Sequence, residues 1–412
     1  MKKIIVLQIP NSKNNGSAMM AINNISFFDS EFENDVEFCC DFSSDEDKER
    51  IGSELNSETK ISKLPLPIFE RGSSMVSSFM NRQRWIKEVV DVISEKKPLA
   101  ILVLGGDDFS EYYSGYKIIV RLYFMYRLSL HFPVYLIGHT IGPFSSWRKS
   151  AFRFLMSKCR IVTRDAISLE HCQKDLKHKY TEQGHDLAWF DLPNQTIELK
   201  DRMLSKYNLH EDDFIIITPS ALVKHYAEKD EDYFSSFGKL LDALREQGRK
   251  IVFIPHVFSD TKRDDRWVIC EIKKQYPDFT NVTYIEDMLL PSEFRAIASA
   301  CHFSIACRMH AAVSTLQAGR PSIALSYSAK YAGVIGGDMG LPELVIESAD
   351  KELWKDGIVN EIKLKIDFID ENYISLTQRI KGRVLKIKEE QSVIMNICGD
   401  KIISNKGETF FE

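Results

Sequence analysis

The run His302-Phe-Ser-Ile-Ala-Cys307 leads through Arg308-Met-His310 into residues 311–318, then by way of Gly319 and Pro321 into Ser322-Ile-Ala-Leu325. The short apolar runs predict buried strands, and the longer Ala-rich stretch between them predicts a helix. Gly319 suits the left-handed position just past a helix, and Pro321 cannot continue one. Strand, helix and strand in this order make a parallel pair, because only a crossover returns the chain to the same end of a sheet. The same alternation extends in both directions. Strands are expected at residues 3–9, 36–40, 99–104, 134–138 and 160–163, and again at 214–218, 250–255, 282–285, 302–306 and 322–325. Residues 187–206 read as the crossing between the two series. The class is therefore α/β, with two similar domains facing each other. The division expected is 1–195 for an N-terminal domain, 196–350 for a C-terminal domain, and 351–412 for helices packing back on both. Residues 41–62, rich in Asp, Glu, Ser and Lys, read as an exposed or disordered loop.

At 412 residues the chain is long enough for two or three domains. With 54 Lys plus Arg against 59 Asp plus Glu, the formal charge is −5, which excludes a chain basic throughout that coats nucleic acid. The charge is unevenly spread. Residues 112–160 carry eight basic and no acidic side chains, so the remainder carries −13. Twelve aromatic residues interleave that segment, a composition suited to an anionic membrane surface or a lipid diphosphate, and equally to helices with buried rings and snorkelling cations. Eight cysteines show no Cys-x-x-Cys pair, so reduced thiols and a cytoplasmic setting, at the inner face of the membrane if the segment binds lipid, are expected. Residues 1–10 have too short an apolar run for a signal-peptide core and read as a first strand. Arg121, Arg127 and His131 break the longest aromatic-apolar stretch, so no transmembrane segment is expected.

Ligands of open parallel sheets bind beyond the carboxyl ends of strands, where helix N-termini expose N–H groups. Arg308 and His310 fall in such a first turn. The arginine offers a planar fork to carboxylate or phosphate, and the histidine can move a proton. A histidine packed at a helix start beside an arginine paired to a surface acid would leave the same pattern. Lys330, in Ser326-Tyr-Ser-Ala-Lys330 after the next strand, would flank the same pocket. In the first half, Gly105-Gly-Asp107 allows close backbone approach with Asp107 near a hydroxyl, or simply makes a tight turn. His139-Thr140, Arg164-Asp165 and the loop containing Asn15 end other strands. Cys301, His302, Cys307 and His310 lack paired metal-ligand spacing, and no H-E-x-x-H, G-x-S-x-G or P-loop run occurs. The expected site takes an anion and no metal.

Ile285-Glu-Asp287, Pro291-x-Glu293, Ile297-Ala-Ser-Ala-Cys301, Arg308-Met-His310, Ala318-Gly-Arg-Pro321 and Tyr327-x-x-Lys330 together resemble the C-terminal half of the polysaccharide pyruvyl transferase family. Asn15-Gly16, Gly105-Gly106, Ile141-Gly-Pro143, Arg164-Asp165 with Ser168, and Asp186 resemble its first half, so the likeness runs from about residue 3 to 345. The resemblance implies two Rossmann-like domains across a cleft, as in GT-B glycosyltransferases, and transfer of pyruvate from phosphoenolpyruvate to a sugar as a cyclic ketal. No further cofactor is implied. It places the catalytic histidine on His310 and donor contacts on Arg308, Arg164, Lys330 and Met309. Asn15, Gly106, Asp107, His139, Thr140 and Tyr327 fall to the acceptor or cleft. Asn14-Asn-Gly-Ser17, Gly-Gly-Asp107 and His139-Thr140 depart from the family's frequent Asn-x-Gly-Asp, triple glycine and Gln-Ser, which leaves the acceptor less defined than the donor.

His310 is then expected as general acid on the methylene carbon, with Asp107 a base for a sugar hydroxyl. The acceptor would be a sugar of a surface polysaccharide, such as a capsule or exopolysaccharide, or its lipid-linked precursor. The same scaffold also suits a nucleotide-sugar glycosyltransferase, and, in another class, a non-catalytic carbohydrate-binding or scaffold protein.

Overall fold

The computed structural model describes residues 1–9, 11–70, 73–111, 115–261, 263–328 and 330–404. It divides into two compact units, one of Met1–Asn11, Met20–Leu187 and Glu390–Glu412, the other of Ser12–Met19 and Ala188–Glu389. The α/β class with two parallel sheets is borne out. The unit boundary falls inside the expected crossing, but the terminal segment is shared between the units, and residues 405–412 lie outside those described.

The first unit is built as β1 (Lys2–Leu7), α1 (Asn15–Glu31, whose residues up to Met19 belong to the second unit), β2 (Val36–Cys40), α2 (Asp45–Gly52), β3 (Lys60–Lys63), α3 (Met75–Lys96) and β4 (Ala100–Leu104). It continues with α4 (Gly115–Ser129), β5 (Val134–His139), α5 (Trp147–Leu155), β6 (Arg160–Thr163), α6 (Ala166–Glu170) and β7 (Thr181–Gln183). All seven strands are parallel, in the order β3-β2-β1-β4-β5-β6-β7. Every residue of β4 and β5 is buried, as expected when helices cover both faces.

The second unit follows with α7 (Ile197–Tyr207), β8 (Phe214–Thr218), α8 (Val223–Tyr226), α9 (Asp230–Glu246), β9 (Lys250–Phe253), α10 (Asp265–Gln275) and β10 (Val282–Tyr284). Then come α11 (Pro291–Ala298), β11 (Ser304–Ala306), α12 (Met309–Gln317), β12 (Ser322–Ser326), β13 (Val345–Glu347), α13 (Leu353–Asp356) and α14 (Ile358–Ser404). Its parallel order is β10-β9-β8-β11-β12-β13. Trp354 of α13 is buried against Tyr226, Tyr233 and Phe237, which seats this part of the expected C-terminal helices in the core of the second unit.

One expectation is corrected. Residues 41–62 are not a loop throughout but contain α2 and the edge strand β3. Ser44 accepts the Asp47 N–H at 3.1 Å and the Asp47 carboxylate accepts the Ser44 N–H at 3.2 Å, a capping box that starts a helix of charged residues. β3 pairs in parallel with β2 and has a lysine at each end, a usual protection for a sheet edge. Among the described residues no helix is long and apolar enough to cross a membrane.

Candidate active site

In the second unit the chain runs outward from β8 to β9 and β10, then returns to lay β11 on the other side of β8. The crevice for a ligand is therefore expected between the carboxyl ends of β8 and β11. Arg308, extended at φ −110° and ψ 122°, caps α12 directly after β11. Its Nη2 lies 2.6 Å from Asp265 Oδ1 and its Nε 3.1 Å from Oδ2. Asp265 begins α10, is fully buried, and also accepts the N–H groups of Ala221 at 2.9 Å, Val257 at 2.9 Å and His256 at 3.3 Å. One carboxylate thus ties the loops after β8 and β9 to the arginine after β11. Burial works against the charged guanidinium, the Asp265 charge outweighs it, and the Arg308 pKa is raised. Arg308 Nη1 makes no hydrogen bond among the described residues, which leaves donors for an anion beside the positive end of α12.

His310 is the second residue of α12, within its first turn, and Met309 before it is buried. The segment Ser12–Met19 belongs to this unit and lies along the loop after β9. Asn14 bridges Val257, Asn15 N donates to His256 O at 3.2 Å, and Phe258 N donates to Lys13 O at 2.9 Å. Gly16 opens α1 so close to the imidazole that an added Cβ would stand 2.1 Å from His310 Nδ1. Asn15, expected among the acceptor residues of the first domain, is instead placed in the same unit as His310.

Lys330 Nζ donates to the Tyr327 hydroxyl at 2.9 Å, and the Tyr327 ring stands 5.3 Å from that of His225. Burial lowers the His225 pKa, and the charges of Lys330, Arg308 and Lys351 lower it further. His256 is buried with its ring edge-on to Phe294, and its pKa falls well below the ordinary value through burial and then through His310, Arg308 and Arg295. Asp265, His256 and His225 escaped the sequence reading. Asp264-Asp265 carries only a helix-start signal, and nothing local tells that Asp265 meets an arginine 43 positions on.

The first unit gathers Arg164, Gly106, Asp107, His139 and Thr140 at the carboxyl ends of β4, β5 and β6. Arg164 is buried, with Nη1 2.9 Å from Asp186 Oδ2 and Nε 2.8 Å from Thr140 Oγ1. Burial opposes its charge, and Asp186 restores it. Asp165 caps α6 through the Ser168 N–H at 2.7 Å and also accepts the Thr140 hydroxyl at 3.1 Å. Thr140 N donates to Gly106 O at 2.9 Å. Asp107 is partly buried, and its carbonyl accepts the Ser110 hydroxyl at 3.0 Å. His139, expected to face the acceptor, is fully enclosed, with Nε2 3.1 Å from Val103 O and its ring 5.2 Å from Phe109. Burial drives its pKa down to about 3, so at neutral pH it is an uncharged packing residue.

Among the described residues no three of His, Cys, Asp or Glu gather as metal ligands. A cavity of about 360 Å³ opens at the opposite, amino-terminal end of the strands of the second sheet, at the start of β8 and β9, but its Lys250, Arg249 and His302 already pair with Asp213 and Asp370.

A family-wide profile described as Polysaccharide pyruvyl transferase matches residues 16–329. The amylovoran biosynthesis protein AmsJ of Erwinia amylovora is 25% identical over 318 residues, 75% of this chain and 73% of that protein. Among solved structures, the UDP-GlcNAc 2-epimerase of Neisseria meningitidis bound to UDP-GlcNAc superposes with a TM-score of 0.60 at 14% identity, covering 98% of this chain and 100% of that one. Apo UGT2 of Phytolacca americana gives 0.54 at 10% identity, covering 97% and 99%. These two share a GT-B-like fold with the chain.

Proposed function

The chain belongs to the polysaccharide pyruvyl transferase family, and from that premise we propose that it moves pyruvate from phosphoenolpyruvate to a hydroxyl pair of a sugar, in a surface polysaccharide or its lipid-linked precursor. The observation that carries this reading is Arg308, held by a buried carboxylate at a helix N-terminus with His310 two residues on, in the same first turn. Arg308 and Lys330 hold the donor's carboxylate and phosphate, in a frame that needs no reorganisation as charge develops. His310 protonates the methylene carbon, and a sugar hydroxyl adds to the cationic carbon and releases its own proton. The second hydroxyl then displaces phosphate and closes the ketal, so one donor and one diol give one ketal and one phosphate. The frame must favour the transition state over bound donor, or it would only tighten donor binding. Arg164 is proposed as a second donor contact. Asp107 is proposed as the hydroxyl base, being a partly buried carboxylate at the end of β4. The donor is a co-substrate, and no further cofactor is invoked.

Phosphate release from phosphoenolpyruvate across a panel of lipid-linked and aryl sugars, with mass spectrometry of the product, is the direct test. Release should require an acceptor and fall at least about a hundredfold in His310→Ala. Release at the wild-type rate by that variant would remove His310 from the chemistry. Phosphoenolpyruvate should raise the unfolding temperature, whereas UDP- and GDP-sugars should not. The reverse pattern would make the protein a nucleotide-sugar transferase.

A further inference from the structure

We propose that the exposed face formed by α3, α4 and α5 of the first unit docks on an anionic lipid bilayer. Trp147 and Phe154 of α5 are seven residues apart, two turns along one side of the helix, and are 60% and 65% exposed. The Phe154 ring packs 5.4 Å from Tyr126 of α4, which lies 6.4 Å from Tyr123. The Tyr123 hydroxyl donates to Gln83 of α3 at 2.9 Å, and one turn before Gln83 stand Phe79 and Met80, 57% and 61% exposed. Three helices therefore present one strip of rings and a thioether to the outside, where single scattered apolar residues are the rule.

Cations border the strip. The Arg148 guanidinium lies 5.7 Å from the Trp147 ring and that of Arg127 6.0 Å from the Tyr123 ring. Arg127 bonds the Tyr123 hydroxyl, and Arg153 bonds the carbonyls of Leu176 and Asp175, neutral partners that leave both charges in place. Glu111 and Asp175 approach the border to pair with Arg148 and Lys149. Residues 112–160 themselves contain no acid, though 112–114 lie outside the described residues. Rings that sit at headgroup depth with cations beside them fit a bilayer carrying negative headgroups, whereas a neutral protein surface would leave those charges unanswered.

The test is co-sedimentation of the full chain with vesicles of phosphatidylcholine, alone or mixed with phosphatidylglycerol. Binding is expected to the mixed vesicles only, and to weaken severalfold as salt rises from about 0.05 to about 0.5 M. The pair Trp147→Ala and Phe154→Ala, and separately the pair Arg127→Glu and Arg153→Glu, should each cut partitioning roughly tenfold while the chain remains folded at the assay temperature, as its unfolding transition reports. Ile374→Ser, an exposed apolar site on α14, should bind as the wild type does. Failure of the wild type to sediment with anionic vesicles at low salt, or wild-type binding by both paired variants, would overturn the proposal. So would a dimer in solution that the aromatic pair abolishes while vesicle binding persists, since the face would then be a protein interface. Vesicle binding needs neither donor nor acceptor, so its outcome is read independently of pyruvyl transfer.

Discussion

Asp265 is a positioning residue for Arg308. It has no exposed surface and meets the guanidinium through both oxygens, while three backbone N–H groups hold it from other sides. Asp265→Asn removes the counter-charge of a largely buried arginine, a change that costs about 3 kcal/mol when one partner of such a pair is lost. The unfolding free energy should fall by that order. On the proposed function, the KM for phosphoenolpyruvate should rise roughly tenfold or more, with kcat less affected; an unchanged KM would reduce Asp265 to a loop tie. Gly16 makes a second residue-scale demand. A methyl group there enters the His310 ring, so Gly16→Ala should lower kcat strongly, whereas Gly106→Ala, whose nearest neighbour stands at 3.9 Å, should be mild. Steady-state kinetics of the two alanine variants decide it.

At the scale of elements, the strands that sequence pattern reveals are those buried on both faces, such as β4, β5, β8 and β12. The strands it misses, β3, β7 and β13, are three- or four-residue edges of the two sheets. A short edge strand buries little apolar area and is held by backbone ladder bonds, which leave no hydrophobic period to read. α2 was legible in principle through Ser44-x-x-Asp47, but its acidic face resembles a solvated loop. Gly105 is an element-scale constraint, not a ligand-scale one. Beside it Gly138, at φ +74°, sits where the β5–β6 register shifts, and an added Cβ on Gly105 would stand 2.0 Å from its carbonyl oxygen. Gly105→Ala should therefore destabilise the first sheet by about 1–3 kcal/mol, measured by denaturant unfolding. Stability like that of the wild type would show that β5 can yield.

For the whole molecule, the buried histidines His139, His178 and His256, whose pKa values burial lowers, work against stability in acid. Burial lowers the His139 pKa to about 3, Val103 O raises it, Arg164 and Arg121 lower it, and Asp107 raises it. The folded pKa lies below the unfolded one, so its contribution is complete above about 6.5 and is lost as pH falls toward about 3. Each pH unit in that window costs about 1.4 kcal/mol per such histidine. The unfolding midpoint should fall on acidification from pH 7 to 5, and His139→Gln should flatten that slope; an unaltered slope would show that protonation of His139 does not drive the loss. Charge follows the same division of scale. The net charge of −5 is mild, yet the cations of α4 and α5 border one aromatic face of the first unit.

Sequence by itself determined the α/β class, the two series of parallel strands and the helix starting at Arg308-Met-His310. Those follow from local periodicity, Gly319 and Pro321, and from the fixed hand of parallel connections. The resemblance carried by the motifs determined the family. Only the tertiary structure decided that Ser12–Met19 joins the second unit, that Gly16 touches His310, that Asp265 holds Arg308, and that His139 is sealed in a core. The physical reason is range. A strand or helix is specified by neighbours within a few positions, whereas a buried charge or a close backbone approach is specified by whichever distant segment the packing brings to it.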